Sequence, residues 1–189
     1  MSALSLIEIL ATLTSLTYLL LLIKQNIWCW FFSIISGLLS IYLFYSTKLY
    51  LESILYGYFV LISCYGWWNW SKRNGSLRMR EWKPIYHIFT VFIGFALACG
   101  LGYFFSTKTD ASKPYLDACT TVFSIIANIL EARKMLSGWI YWIIINGVSV
   151  GLYLSKSLHI YAGLMIVYFI MSIVGYREWK KDLAGSTQS

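Results

Sequence analysis

The chain has 189 residues, 59% of them hydrophobic and only 12% charged, with a formal net charge of +7. Soluble domains carry roughly 25% charged residues, so a water-soluble core of this size cannot enclose so much apolar surface, and the lipid bilayer is the expected solvent. With two prolines and short polar gaps between the apolar runs, no room is left for a separate soluble domain.

Seven apolar runs of spanning length, about 20 residues for a helix, follow in order. The first, Leu4 to Ile23, lacks a basic flank and a small-residue cleavage site, so it reads as a span and not a signal peptide. It carries Glu8, Thr12 and Ser15. The second runs from Ile27 to Tyr45. The third, Leu51 to Trp70, sets Tyr56 and Ser63 on one face and ends Tyr65-Gly66-Trp67-Trp68-Asn69-Trp70, where Trp68 and Trp70 read as an interfacial belt. The fourth, Ile85 to Phe105, has small residues (Gly94, Ala96, Ala98, Gly100, Gly102) and no charge, which suits a tether that packs closely. The fifth, Tyr115 to Leu130, opens a polar stripe of Asp117, Thr121, Ser124, Asn128 and Glu131, whose spacing of four, three, four and three places them on one helical face. The sixth, Gly138 to Leu154, gathers Trp139, Trp142, Asn146, Ser149 and Tyr153 close to one face, and the seventh runs from Leu158 to Tyr176.

The chain matches itself at a constant offset of 109 without a gap: Glu8 falls on Asp117, Thr12 on Thr121, Ser15 on Ser124 and Lys24 on Arg133. Further along, Trp30 falls on Trp139, Ser40 on Ser149, Ser46 on Ser155, Leu49 on Leu158, Gly66 on Gly175 and Trp70 on Trp179. A duplicated apolar unit is a signature of secondary transporters, with substrate between the repeats. The repeat covers spans one to three and five to seven, and the extra fourth helix gives both copies the same orientation. The expected fold is an all-α membrane protein with seven transmembrane helices in a 3+1+3 parallel internal repeat. The expected divisions are 4–70 for the first repeat, 71–112 for a basic cytoplasmic loop and the linking helix, 113–179 for the second repeat and 180–189 for a cytoplasmic tail.

The positive charge follows this topology. One side of the bilayer receives Lys24, Lys72, Arg73, Arg78, Arg80, Lys83, Arg133, Lys134, Arg177, Lys180 and Lys181; the other receives Lys48, Lys108, Lys113 and Lys156. The positive-inside rule puts the richer side in the cytoplasm, with the N-terminus outside and the C-terminus inside. The basic loop after span three is therefore a topology signal, and nucleic acid is not an expected partner. Cys29, Cys64, Cys99 and Cys119 lie far apart in apolar surroundings without a C-x-x-C, and read as small buried hydrophobes. His87 and His159 fall on opposite sides, so a shared metal site is not expected.

The polar groups converge in the second repeat. Leu19 and Leu22 stand in span one where Asn128 and Glu131 stand in span five, and Gly37 stands where Asn146 stands. An amide inside a span is costly unless it has work to do. The hydroxyls of Thr121 and Ser124 can equally bond their own helix, and Glu131, a turn from the cytoplasmic edge, can snorkel or pair with Arg133 or Lys134. Trp139 and Trp142 with Asn128, Asn146 and Glu131 make a box for a flat, polar, cationic ring, the indoles attracting the charge and the amides fixing orientation. Tyr56 and Ser63 are placed to look into the same space from the first repeat. No phosphate-binding glycine loop, H-E-x-x-H or Ser-His-Asp set is present, no chain of intramembrane carboxylates offers a proton relay, and no cofactor is expected.

Three stretches resemble the PnuC family of bacterial vitamin transporters: Tyr65-Gly66-Trp67-x-x-Trp70; Asp117 with Ser124-Ile125-x-Ala127; and Ala132-Arg133-Lys134-x4-Trp139-x2-Trp142-x3-Asn146-x2-Ser149. The resemblance extends from about Leu6 to Trp179. It implies facilitated diffusion of a vitamin across the bacterial inner membrane, made one-way by cytoplasmic phosphorylation of the product, and it allows a homotrimer for which the sequence carries no interface signature. Nicotinamide-riboside members tend to carry Gln and Asn where this chain has Tyr56 and Ser63, and commonly an uncharged residue where it has Glu131. A carboxylate suits an aminopyrimidine edge and a thiazolium charge, so these departures lean towards thiamine, with nicotinamide riboside as the alternative. The expected partners are thus a small vitamin and membrane lipids, the expected motion is rocking of the repeats around their interface, and no enzymatic role is expected. A seven-helix receptor or sensor is the competing class; the duplication and the short soluble segments count against it.

Overall fold

The computed structural model describes residues 3–48, 50–72, 79–109, 113–155, 157 and 159–187. Leu49, Arg73, Arg78, Lys156 and Leu158, used above for the repeat and the charge distribution, lie outside the described residues, as does the expected boundary at 112. Among the described residues seven helices follow one another: α1 Ala3–Ile23, α2 Trp28–Ser46, α3 Tyr50–Ser71, α4 Pro84–Lys108, α5 Pro114–Ala132, α6 Ser137–Ser155 and α7 His159–Thr187. On length and composition, α1, α2, α4, α5 and α6 are each apolar enough to cross a membrane. Pro84 and Pro114 sit in the first turns of α4 and α5, where a missing N–H costs nothing.

Helix α7 continues to Thr187 instead of ending at Tyr176, through residues expected to form part of the tail. The bilayer sets how far a helix stays apolar, not how far it stays helical. The extension from Arg177 to Ala184 (Arg-Glu-Trp-Lys-Lys-Asp-Leu-Ala) contains no glycine or proline and is mostly of good helix formers, so the backbone ladder continues past the apolar stretch.

The chain forms two compact units, Met1–Arg78 with Lys181–Ser189, and Met79–Lys180. In the first, α1 packs on α2 and α2 on α3; in the second, α4 packs on α5 and α5 on α6. The linking helix α4 therefore clusters with the second repeat. Its small residues divide by face. Gly94, Ala98 and Gly102, four apart, are buried, whereas Ala96 and Gly100 are exposed. A Cβ on Gly94 would stand 2.9 Å from the Phe123 ring, and one on Gly102 would stand 3.0 Å from the Tyr115 backbone. Close backbone approach of this kind holds helices together in lipid, where no hydrophobic force acts between them.

The internal repeat is present in the backbone as well as in the residues. Helix α1 ends with Gln25 at φ 53°, and its N–H groups at Gln25 and Asn26 donate to Leu22 and Leu21 carbonyls, both at 2.9 Å. Helix α5 ends with Lys134 at φ 56°, and the N–H groups of Lys134 and Met135 donate to Glu131 and Leu130 at 2.8 and 2.9 Å. Both are Schellman caps closed without glycine. The next turns match too, with Lys48 at φ 62° and Ser157 at φ 59°.

Each unit also holds the same aromatic lock. Trp30 meets Trp70 edge-on at 5.4 Å and 88°, and Trp139 meets Trp179 edge-on at 5.5 Å and 82°. Gly66 lies against the Trp30 ring and Gly175 against the Trp139 ring, so close that a Cβ would stand 2.6 and 2.5 Å away. These four tryptophans are almost wholly buried.

Candidate substrate site

Helices α5 and α6 meet at a tight turn that carries the only carboxylate of the polar stripe near this end. Glu131 is 1% exposed, in the last turn of α5. Gly138, at the start of α6, lets the two helices close on it: a Cβ there would lie 3.3 Å from Glu131 Cγ and from the Glu131 nitrogen. The turn is strapped from outside by the segment preceding α4. The Arg80 N–H donates to the Lys134 carbonyl, and the Leu136 N–H donates to the Arg80 carbonyl, both at 3.2 Å. Part of the basic loop read as a topology signal thus also braces the α5–α6 turn. Lys134 itself is buried at 7% exposure.

A turn deeper, Trp142 is half-buried and packs against a cluster of Ala127, Leu130, Met135, Tyr141 and Ile145. Tyr141, on the adjoining face, reaches α4 through a 3.2 Å hydrogen bond between its hydroxyl and His87 Nδ1. Asn146 follows Trp142 by four residues and shares its side of the helix. It is 5% exposed, and its Nδ2 donates to Ser172 Oγ on α7 at 3.1 Å. Ser172 in turn donates to the Tyr168 carbonyl at 2.8 Å. On α5, Thr121, Ser124 and Asn128 are all half-buried, and Asn128 Nδ2 makes a long 3.5 Å contact to the Ser124 carbonyl.

Trp139 does not join this group as a ring-stacking wall. It is fully buried, pressed on Gly175 and Trp179, with its Nε1 enclosed and without a hydrogen-bond partner among the described residues. Its aromatic face is consumed by helix packing, which the helical stripe could not distinguish from a cavity wall. Tyr56 and Ser63 belong to the first unit and are engaged there. Tyr56 stacks on Phe44 at 5.2 Å and meets Phe59 edge-on. Ser63, 1% exposed, donates to the Phe59 carbonyl at 2.6 Å and lies 2.7 Å from Ser33 Oγ.

Ser172 was not singled out from the sequence. One signal could have found it: at the same offset of 109 it corresponds to Ser63, and both hydroxyls bond the carbonyl four residues back in their own helices.

The family described as nicotinamide mononucleotide transporter matches residues 5–181. The nicotinamide riboside transporter PnuC of Escherichia coli K12 is 28% identical over 93% of this chain and 85% of its own length. The riboflavin/roseoflavin transporter RibM of Streptomyces davaonensis is 22% identical over 91% of this chain and 83% of its own. A crystal structure of the vitamin B3 transporter PnuC has the same fold, with a TM-score of 0.75 at 21% identity, covering 95% of this chain and 83% of that one. With a whole-length family match, seven helices and a repeat carried in both sequence and backbone, the chain belongs to the PnuC family of membrane vitamin transporters.

Proposed function

We propose that this protein carries nicotinamide riboside across the bacterial inner membrane by facilitated diffusion, through a site built on α5, α6 and α7. The observation that carries this reading is the buried amide of Asn146, held by Ser172 and following the half-buried Trp142 by four residues on α6. An indole for a cationic ring and an amide for a carboxamide are the chemistry of a pyridinium carboxamide. The 28% identity to a nicotinamide riboside transporter over nearly the whole chain supports it. A lean to thiamine rests on Glu131, Tyr56 and Ser63. Tyr56 and Ser63 are occupied within the first unit, Glu131 is enclosed beside Gly138, and the relatives above carry nicotinamide riboside or riboflavin by name, so thiamine gains no support.

In this reading the N-terminus lies outside and the C-terminus inside, since an alternating seven-span chain gathers Lys24, Lys72, Arg80, Lys83, Arg133, Lys134, Arg177, Lys180 and Lys181 in the gaps of one side, and the positive-inside rule makes that side cytoplasmic. In proteoliposomes without an ion gradient, labelled nicotinamide riboside is expected to enter to equilibrium and labelled thiamine to stay out. Entry of thiamine alone would overturn the assignment, and binding of nicotinamide riboside without entry would move the protein to the receptor class.

Glu131 has its own test. Glu131→Gln keeps the shape and removes the charge. If the carboxylate faces the ligand, affinity for the pyridinium falls by roughly 1–3 kcal/mol in titration calorimetry. An unchanged affinity assigns Glu131 to the α5–α6 turn alone.

A further inference from the structure

We propose that Ser172 is a positioning residue that sets the specificity of the site, by fixing which end of the Asn146 amide is left for the ligand. The proposal rests on the reading of Asn146 as a ligand contact given above.

A serine hydroxyl has one hydrogen. In Ser172 that hydrogen lies on the Tyr168 carbonyl at 2.8 Å, which leaves the Ser172 oxygen to accept from Asn146. The amide turns its nitrogen to Ser172, at 3.1 Å. Amide nitrogen and oxygen are assigned from the bonding network, and here the network favours this orientation. The reverse would need the hydroxyl to leave Tyr168 and donate to Oδ1, so one of the two hydrogen bonds would be lost. Asn146 and Ser172 are 5% and 3% exposed, and in such an interior the lost bond counts.

What remains for a ligand is Oδ1 and one N–H, an acceptor and a donor. No described residue donates to Oδ1. This pair is the complement of a primary carboxamide, which offers one donor and one acceptor. A carboxylate at the same place brings two acceptors and leaves one of them facing Oδ1. The site is thereby tuned to the amide form of its ligand and against the acid form.

The first repeat holds the same hydroxyl without the amide. Ser63 donates to the Phe59 carbonyl at 2.6 Å and lies 2.7 Å from Ser33 Oγ, and Gly37 occupies the position of Asn146. A polarised serine on the third helix of the repeat is thus common to both units, and only the second uses it to hold an amide.

The test compares affinities of the purified full-length protein for nicotinamide riboside and for its carboxylate analogue, nicotinic acid riboside. Wild type is expected to prefer the carboxamide. Ser172→Ala frees the amide to turn, and the preference is expected to narrow about tenfold, the equivalent of one modest hydrogen-bond term. Ser172→Cys, of nearly the same volume and a weak donor, is expected to narrow it as well and serves if the alanine variant does not fold. Ser172→Thr, which keeps the hydroxyl, is expected to retain it. Equal loss of both affinities in the alanine or cysteine variant, or no preference in wild type, would overturn the role of Ser172. Unchanged binding of nicotinamide riboside by Asn146→Leu would instead overturn the site reading beneath it.

Discussion

Asn146→Leu is expected to remove nicotinamide riboside binding by at least roughly 2–3 kcal/mol, about 30-fold to 150-fold, while the protein stays folded in the membrane. The two side chains have the same number of heavy atoms and branch alike at Cγ, so leucine is the apolar residue nearest to the amide in shape, although its methyl groups are bulkier. Ser172 loses a donor but keeps its own bond to the Tyr168 carbonyl, so no hydrogen is orphaned in the protein. The loss falls on the ligand, whose polar edge would face an alkyl group in an enclosed site and forfeit its hydrogen bonds to water without replacement. Titration calorimetry in detergent gives the affinity, and size-exclusion chromatography with thermal melting reports folding. Retained affinity would exclude Asn146 from the site. Lost affinity with a collapsed melting transition would instead make the Asn146–Ser172 pair a packing device.

The second large effect is on stability. Gly175→Ala is expected to destabilise the second unit by about 1–3 kcal/mol, because the new Cβ would stand 2.5 Å from Trp139 Cη2 and 2.6 Å from Cζ3. The ring cannot step aside: it is fully buried and already edge-on to Trp179. Gly66→Ala makes the same demand on Trp30 in the first unit, at 2.6 Å from Cε2 and Cζ2, and a similar loss is expected there. Gly163→Ala on α7 is the control, since nothing lies within 4 Å of its Cβ. Alanine there is expected to be neutral or to stabilise by up to about 1 kcal/mol through helix propensity. Melting temperatures of the three variants decide the matter. If Gly175→Ala melts with Gly163→Ala, the glycine–tryptophan contact is not what holds α6 to α7.

Much of the architecture could be read before any coordinates. The seven runs, the offset of 109 and the small residues of span four each correspond to a physical requirement that acts along one segment: satisfied backbone bonds in lipid, repetition of a foldable unit, and close helix approach. The same offset recurs in the caps at Gln25 and Lys134, neither of them glycine, which is why the turns were not evident from residue type. The lean to thiamine rests on three side chains whose neighbours the sequence does not show. Tyr56 packs its ring on Phe44, Ser63 bonds the Phe59 carbonyl and lies 2.7 Å from Ser33 Oγ, and Glu131 lies enclosed beside Gly138.

Periodicity states which face of a helix a residue occupies but not what lies opposite. Trp139 and Trp142 differ by one turn on one helix, and nothing in their spacing separates the first, locked between Gly175 and Trp179, from the second, half-buried on the α5–α6 cluster. Helix extent obeys a similar division: apolar length shows where α7 leaves the bilayer environment, while propensity favours its continuation through Arg177 to Ala184. The sequence by itself determined the class, the duplication and the confinement of the amides to the second repeat, because composition and register are properties of the chain alone. Only the tertiary structure decided which polar groups are paired and with what, because a buried hydroxyl or amide is defined by its partner, and the partner of Asn146 is a serine on another helix.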